Sequence, residues 1–334
     1  MPLVANTKLP SFSRLRDEGE TIIERDHAIH QDIRELHIGL LNMMPDAALA
    51  ATEQQFIGFA AASRIAANVF VYPFSLGELA RSAAAQEHIN KYYASFDALR
   101  SKGLDALIIT GANVANPRLE QEPFWDPLVD VVRWAESGVV SILCSCLATH
   151  ALVKYHYGID RIRLPQKRWG VYGHHVSEPA HPLMRGVDAR FEAPHSRYNE
   201  ITREQFDDAG LSVLAESSDA GVHLAVSPDG IRTVYFQGHP EYQAVSLLKE
   251  YKREVFRYIE GELDAPPPYP EHYFPDEAVR IAADYMNRCR EALGRKGEVP
   301  AFPERELERL VRNTWGGAGQ AIVDNWLGLV FDQT

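Results

Sequence analysis

Short apolar runs alternate with helical patterns along the first half of the chain. Four runs of five or six residues are apolar at almost every position, which is typical of strands buried on both faces of a parallel sheet. They are residues 36–41, 68–72, 105–110 and 139–143. Segments 46–64 and 124–137 repeat apolar positions at the helical period. The pattern predicts an α/β fold with a mostly parallel sheet covered by helices on both faces.

The second half of the chain has a different pattern. Three apolar runs, residues 211–215, 222–226 and 233–236, are separated by short turns such as 227–230. Such spacing indicates an antiparallel meander or hairpin. Its last strand leads to His239, and a helical pattern follows.

The pattern divides the chain into three segments. Residues 1–34 are polar and weakly patterned, and we interpret them as an N-terminal arm. Residues 35–264 hold the whole predicted sheet and form one α/β domain. Residues 265–334 begin with a stiff proline-rich stretch. We predict that their helices, at 275–293 and 315–331, form a C-terminal extension packed on the α/β domain.

Composition and charge restrict the possible functions. The 334 residues are 46% hydrophobic and 24% charged, with a formal net charge of −12. This composition suits a large globular core and argues against non-specific binding to nucleic acid or anionic membranes. No apolar run approaches the roughly twenty residues that span a bilayer. The charged segment 13–18 is unlike a signal peptide, and three cysteines argue against a disulfide framework. We therefore predict a cytoplasmic protein.

Cys146 is the candidate nucleophile because it stands where an apolar run turns into a helical pattern. That geometry exposes a side chain at the carboxyl end of a parallel sheet, and the helix N-terminus favours a thiolate. The amide of Leu147 would point at a developing oxyanion. A buried packing cysteine is the simpler alternative, and it is our interpretation of Cys144 and Cys289.

A base and a substrate clamp come from two later segments. His239 and Glu241 flank a proline after an apolar run, so the histidine can accept a thiol proton while the carboxylate sets its tautomer. Glu250 and Arg253 are three residues apart on the following helix. They could bind the α-amino and α-carboxylate groups of an amino acid, although an exposed ion pair would have the same spacing.

Other polar segments give weaker signals. Residues 194–198 resemble a turn and are a candidate site loop, whereas His174 and His175 are interpreted as strand histidines. Backbone amides at 111–113 could contact a substrate. The sequence has no Gly-rich phosphate loop and no zinc-ligand spacing, so we expect no metal.

Taken together, these segments resemble the homoserine O-succinyltransferase family. The matching blocks are 41–45, 52–56, 110–112, 146–148, 170–175, 193–198, 238–242, 273–275 and 325–327. The resemblance implies a flavodoxin-like domain of the class I glutamine amidotransferase type, which makes 35–264 the catalytic acyltransferase domain. It also implies a ping-pong reaction in methionine biosynthesis, with succinyl-CoA as co-substrate, no bound cofactor, and a homodimer.

The resemblance implies roles for individual residues. Cys146 would carry the acyl group as a thioester, His239 would be the base and Glu241 its partner. Contacts with the amino-acid acceptor would come from Lys167, Ser196, Glu250 and Arg253.

Two positions depart from the family pattern. The family usually has a lysine after the Asn-x-Met-Pro block that helps the oxyanion hole, whereas this chain has Asp46, Ala47 and Ala48. The Leu147 amide and another backbone amide would then hold the oxyanion. The position that separates acyl donors holds Ala115, whose small neutral side chain favours succinyl over acetyl.

Several alternatives remain open at this stage. Serine could replace homoserine as the acceptor, because one methylene contributes only about 1–3 kcal/mol of discrimination. Acetyl-CoA could replace succinyl-CoA. A glutamine amidotransferase would have a similar Cys and His-Pro-Glu, but usually with glycines where Cys144 and Ala148 stand. A non-catalytic metabolite-binding protein would explain the missing lysine.

Overall fold

A single sheet of eleven strands organises the molecule in the computed structural model, which describes residues 3–295 and 297–334. The strands are β1 (Leu3–Ala5), β2 (Ile22–Glu24), β3 (Glu35–Leu41), β4 (Asn68–Phe74), β5 (Ala106–Ile109), β6 (Ser141–Ser145), β7 (Ile162–Val176), β8 (Arg190–Glu200), β9 (Ser212–Ser217), β10 (Gly221–Val226) and β11 (Thr233–Phe236). Their spatial order is β2-β1-β4-β3-β5-β6-β11-β10-β9-β7-β8.

Helices connect and cover these strands. Over the described residues they are α1 (Pro10–Asp17), α2 (Arg25–Ala28), α3 (Asp46–Ala61), α4 (Ala83–Tyr92), α5 (Phe96–Lys102), α6 (Trp125–Gly138), α7 (Leu147–Tyr157), α8 (Arg203–Asp208), α9 (Ser246–Ile259), α10 (Asp276–Gly294), α11 (Glu304–Glu308) and α12 (Gly316–Gln333). None of them combines the length and apolar character needed to cross a bilayer.

The type of strand pairing changes once across the sheet, at β11. Every pairing from β2 to β11 is parallel, and every pairing from β11 to β8 is antiparallel. β11 follows the antiparallel meander in sequence but pairs in parallel with β6. The predicted mostly parallel α/β sheet and the meander are confirmed, and the segments after β6 and β11 meet at one edge.

Two apolar layers lie on the two faces of the sheet. Ile38 and Leu40 of β3 pack into one layer with α3 and α12, while Leu41 packs into the other with α6 and α7. Both layers are almost fully buried because alternate residues of a strand point to opposite faces. α12 is anchored centrally, where Trp326 Nε1 donates to Ser141 Oγ at 2.7 Å. The C-terminal segment thus supplies part of the main core.

The N-terminal residues belong to the sheet. β1 and β2 pair in parallel at its edge, and the side chains of Leu3, Phe12 and Leu15 are buried. The sequence analysis interpreted residues 1–34 as an N-terminal arm, whereas within this segment β1 and β2 are part of the main sheet. Strands of three residues are too short to show a recognisable alternation of apolar and polar residues. Their strand conformation depends on pairing with the sheet, where β1 pairs with β4.

The long β7–β8 hairpin extends the other edge of the sheet. Residues 194–198 lie within β8 and pair with β7, so their interpretation as a turn was wrong. A third apolar cluster joins Trp169 and Val171 of β7 to α9, α10 and Trp315. α9 is thereby held against the hairpin, and its polar face borders the ends of β6 and β11.

Candidate active site

Cys146 occupies a strained turn between β6 and α7. Its backbone has φ 52° and ψ −108°. Among the described residues, Cys146 is one of two non-glycine residues with a positive φ. A backbone conformation of this kind costs roughly 1–3 kcal/mol and persists only where the surroundings enforce it. Here the Cys146 amide donates to the Phe236 carbonyl at 2.8 Å, and Thr149 donates back to the Cys146 carbonyl. The turn presents the partly exposed thiol at the carboxyl edge of the parallel strands.

His239 and Glu241 form a buried pair beside this thiol. His239 Nδ1 lies 2.7 Å from Glu241 Oε1, and Ser145 Oγ donates to the same oxygen at 3.3 Å. Because a carboxylate only accepts, Nδ1 carries the proton and Nε2 is left to face Cys146. Burial lowers the pKa of His239, but the charges of Glu241 and Cys146 and its hydrogen bonds to both raise the pKa well above its ordinary value. The pair is arranged to hold a proton next to the thiol.

The backbone around His239 fixes the position of the ring. The His239 amide donates to the Pro194 carbonyl of β8 at 2.8 Å, and the ring stacks on Tyr242 with centroids 4.3 Å apart. A Cβ at Gly238 would lie 2.5 Å from His223 Nδ1 and 2.9 Å from the Pro194 oxygen. Only glycine fits there without displacing its neighbours.

The loop after β5 borders the predicted oxyanion position. A Cβ at Gly111 would lie 3.7 Å from Cys146 Cβ and 3.9 Å from the Leu147 nitrogen. The loop backbone is therefore close to the amide of Leu147, the first residue of α7. A second backbone amide from this loop could bind the oxyanion together with the Leu147 amide. The oxyanion role of both amides stays a prediction.

Arg81, which the sequence analysis missed, holds the segment that departs from the family pattern. Its side chain is 4% exposed and donates to the carbonyls of Asn42 and Met44. It also contacts Asp46 at 3.3 Å, and Asp46 accepts from the Ser82 amide at 2.8 Å. The Asp46 carboxylate is thus used structurally. No local motif marks Arg81, which lies 35 residues from Asp46 in sequence.

Glu250 lies at the centre of a polar cluster that the tertiary structure assembles. Its Oε2 accepts from Ser196 Oγ at 2.6 Å and from Lys167 Nζ at 3.1 Å, and its Oε1 accepts from Tyr242 at 2.7 Å. Burial raises the pKa of Glu250, but the Lys167 charge and the hydrogen bonds from Ser196 and Tyr242 outweigh it and lower the pKa. Three predicted residues, Lys167, Ser196 and Glu250, thus meet here. Tyr242 was not predicted as a site residue, although it directly follows Glu241.

A cavity of about 410 Å³, which we call the Glu250 cavity, joins this cluster to the thiol. Its lining includes Cys146, His239, Glu250 and Arg253. The Arg253 side chain is 50% exposed, and its closest carboxylate contact is Glu254 at 3.4 Å. The cavity therefore offers a fixed carboxylate and a less constrained guanidinium on one side of the nucleophile.

Ala115 lies apart from these residues. It is exposed and lines neither the Glu250 cavity nor the other cavity that reaches Cys146. Its amide and that of Asn116 donate to the buried Glu122 carboxylate at 2.8 and 2.6 Å. Neighbouring Asn113 lines both cavities. The acyl-donor role of Ala115 stays a prediction.

Three buried histidines have the composition of a metal site. Ligand atoms of His174, His195 and His223 lie within 4.8 Å of one another. However, Arg197 Nε donates to His195 Nδ1 at 3.3 Å, which leaves the His195 proton on Nε2, 3.1 Å from His174 Nε2. His174 Nδ1 then donates to the Tyr172 carbonyl at 2.9 Å. Because the nitrogens of His174 and His195 form a consistent donor–acceptor chain, the geometry favours neutral hydrogen-bonded rings over metal ligands at these two residues.

Comparison with known proteins gives the family. The family model for homoserine O-succinyltransferase matches residues 2–334. Homoserine O-succinyltransferases of Methylobacter tundripaludum and Nitrosococcus oceani are each 54% identical over 334 residues, covering 100% of this chain and 94% and 93% of their own. A solved glutamine amidotransferase of Thermotoga maritima has 12% identity and a TM-score of 0.46, covering 90% of this chain and 99% of that chain, which is too low to support a functional conclusion. The family prediction is confirmed: this chain belongs to the homoserine O-succinyltransferase family.

Proposed function

We propose that this protein transfers a succinyl group from succinyl-CoA to the hydroxyl of L-homoserine through a thioester on Cys146. The observation that carries the proposal is the buried His239–Glu241 pair, whose 2.7 Å hydrogen bond through Nδ1 leaves the other ring nitrogen of His239 to serve Cys146, which lines the same cavity. That arrangement supplies a nucleophile and a base, and the adjoining Glu250 cavity supplies a place for an amino acid.

The first half-reaction acylates the enzyme. His239 Nε2 takes the Cys146 proton, and the thiolate attacks the thioester carbonyl of succinyl-CoA. The carbon–sulfur bond to CoA breaks, the CoA sulfur leaves with the proton from His239, and the succinyl group remains on Cys146. Glu241 stabilises the imidazolium in between, and the Leu147 amide faces the transient oxyanion.

The second half-reaction regenerates the thiol. The homoserine hydroxyl gives its proton to His239 and attacks the Cys146 thioester. O-succinylhomoserine leaves, and the sulfur recovers the proton. The homoserine ammonium would bind Glu250 and its carboxylate would bind Arg253, with Lys167 and Ser196 keeping Glu250 ionised and in place. Each bond made is matched by one broken, so this cycle needs no bound cofactor.

Serine is the second candidate acceptor, since it carries the same ammonium, carboxylate and hydroxyl groups. Acetyl-CoA is the second candidate donor. Family membership favours acyl transfer over glutamine hydrolysis and over a non-catalytic role. The homodimer and the cytoplasmic location stay predictions.

Intact-protein mass spectrometry tests the proposal directly. The protein is mixed with succinyl-CoA or acetyl-CoA without acceptor, and homoserine or serine is then added. We expect a succinyl adduct that is absent in Cys146→Ala, strongly reduced in His239→Asn, and discharged by homoserine. Cys144→Ala is the matched cysteine control and should retain the adduct. A folded protein that forms no adduct with either donor would refute the proposal.

A further inference from the structure

A second cavity reaches Cys146 on the side of the β7–β8 hairpin. Its volume is about 370 Å³, and we call it the Arg161 cavity. It shares Cys146, Ser196 and Arg253 with the Glu250 cavity, so the two meet at the thiol. Its lining includes five cationic side chains, which are Arg161, Arg163, Lys167, Arg197 and Arg253. Within the described part of the chain its lining contains no carboxylate, and the cavity is therefore an electropositive pocket next to the nucleophile.

Two of its five cationic side chains, Lys167 and Arg197, are already engaged. Lys167 pairs with Glu250 at 3.1 Å. Arg197 is 3% exposed and donates to the Asn199 and Ala220 carbonyls. These groups are held by the protein and are poorly placed to move toward a ligand.

The two remaining cations beyond Arg253 differ in position. Arg163 is exposed and lies over the Tyr198 ring, with its guanidinium carbon 4.7 Å from the ring centroid. Arg161 is more enclosed. Among the residues that the structure describes, its one hydrogen bond joins Nη2 to the Asn116 carbonyl at 3.2 Å.

Arg161 retains unused hydrogen-bonding capacity beside the thiol. Within residues 3–295 and 297–334, its Nε is buried without a hydrogen-bond partner, and no carboxylate lies within ion-pairing distance. Such orphaned donors are rare in proteins and call for an explanation. Burial lowers the pKa of the guanidinium, while the charges of Glu122 and Cys146 act in the opposite direction. Arginine nevertheless keeps its charge at neutral pH.

We infer that Arg161 binds the distal carboxylate of the succinyl group, both in succinyl-CoA and in the Cys146 thioester. This inference rests on the proposed function. A succinyl group on Cys146 ends in a carboxylate at the far end of a short chain, within the dimensions of a cavity that reaches Cys146 itself. A guanidinium with free N–H groups matches a carboxylate in shape and charge. The phosphates of CoA lie much farther from the thioester, beyond a long pantetheine arm.

Binding at Arg161 would also explain donor choice in this chain. An acetyl group leaves the buried Nε without a partner, whereas a succinyl carboxylate satisfies it. A site built to bind a polar group discriminates strongly against an analogue that lacks it. Arg161 also contacts the loop that carries Ala115, through the Asn116 carbonyl. Donor preference would then depend on Arg161 as well as on that loop.

Acylation rates of Arg161→Gln with three donors test the inference. Succinyl-CoA carries the distal charge, butyryl-CoA has the same acyl length without it, and acetyl-CoA is shorter. We expect acylation by succinyl-CoA to fall by about 10- to 100-fold, with the butyryl and acetyl rates changed by less than about twofold. Arg161→Lys should recover part of the succinyl rate, because it keeps the charge but not the forked geometry.

Two controls separate the possible outcomes. Arg133→Gln removes an exposed arginine from α6 and should leave all three rates unchanged. Thermal unfolding of each variant checks the fold. An equal loss of acylation rate with all three donors would assign Arg161 to CoA binding or to the fold and overturn the inference. An unchanged rate with succinyl-CoA would also overturn it. A failure of the proposed function is distinguishable, because the unsubstituted protein would then form no succinyl adduct.

Discussion

His239 Nδ1 lies 2.7 Å from Glu241 Oε1, although the two residues are separated in sequence only by a proline. Both residues are buried, at 5% and 7% exposure. The intervening Pro240 has no amide hydrogen to satisfy, and the His239 amide is used by Pro194. A short segment thus supplies a base together with the carboxylate that orients it, and β8 holds that segment in place through the Pro194 carbonyl.

Glu241→Gln should make the stability of the protein less dependent on pH above neutrality. The pKa of His239 in the folded protein lies above its unfolded value of about 6.5. The stabilisation is therefore fully present below that value and is lost as pH rises through the folded pKa. We expect the variant to lose about 1–3 kcal/mol at pH 6, with the difference shrinking at alkaline pH. Denaturant unfolding from pH 6 to 9.5 measures this, and a difference that grows with pH would contradict it.

Glu250→Gln should impair the second half-reaction and spare the first. The substitution removes the charge that would bind an ammonium group, while the His239–Glu241 hydrogen bond is untouched. Loss of a charged hydrogen bond predicts a fall in kcat/KM for the acceptor of about 10- to 100-fold. Single-turnover acylation and discharge rates separate the two steps, with Glu260→Gln, an exposed residue just beyond the end of α9, as the control. A slower acylation step would argue against the acceptor role.

Arg81→Met should loosen the segment that borders the Glu250 cavity. The variant loses hydrogen bonds to the Asn42 and Met44 carbonyls and to Asp46. We expect a decrease in the free energy of unfolding of about 1–3 kcal/mol because buried acceptors lose their partners. We also expect slower acylation, since Met44 lines that cavity. Arg14→Met on α1 is exposed and serves as the control. Equal unfolding free energies for the two variants would show that Arg81 does not hold this segment.

Gly238→Ala should displace His239 and lower activity. The new Cβ would lie within 3 Å of His223 Nδ1, His195 Nε2 and the Pro194 oxygen, which also accepts from the His239 amide. Overpacking of this kind costs about 1–3 kcal/mol. Gly173→Ala in β7 is the matched control because its Cβ would meet no atom within 4 Å. Unfolding and acylation measurements on both variants test the point, and indistinguishable results for the two would refute it.

Local sequence patterns determined the framework and the reacting groups of this protein. Apolar runs specified the central strands because a strand buried on both faces needs apolar residues at consecutive positions. The Cys146 turn and the His239–Glu241 segment were readable because each depends on neighbours within a few residues. Their convergence was predictable because the carboxyl ends of parallel strands meet at one edge.

Only the tertiary structure decided what surrounds those groups. Lys167 and Ser196 meet at Glu250 because the β7–β8 hairpin packs beside α9. A contact between residues 83 positions apart leaves no periodic pattern in the sequence. The contacts of Arg81 with a loop distant in sequence were likewise not predictable from the pattern. The unpartnered Nε of Arg161 was not predictable either, because it depends on how neighbouring segments exclude solvent. Which side chains become partners across a fold depends on how the helices and strands pack together. The sequence specifies that packing only through the interactions of the whole folded chain.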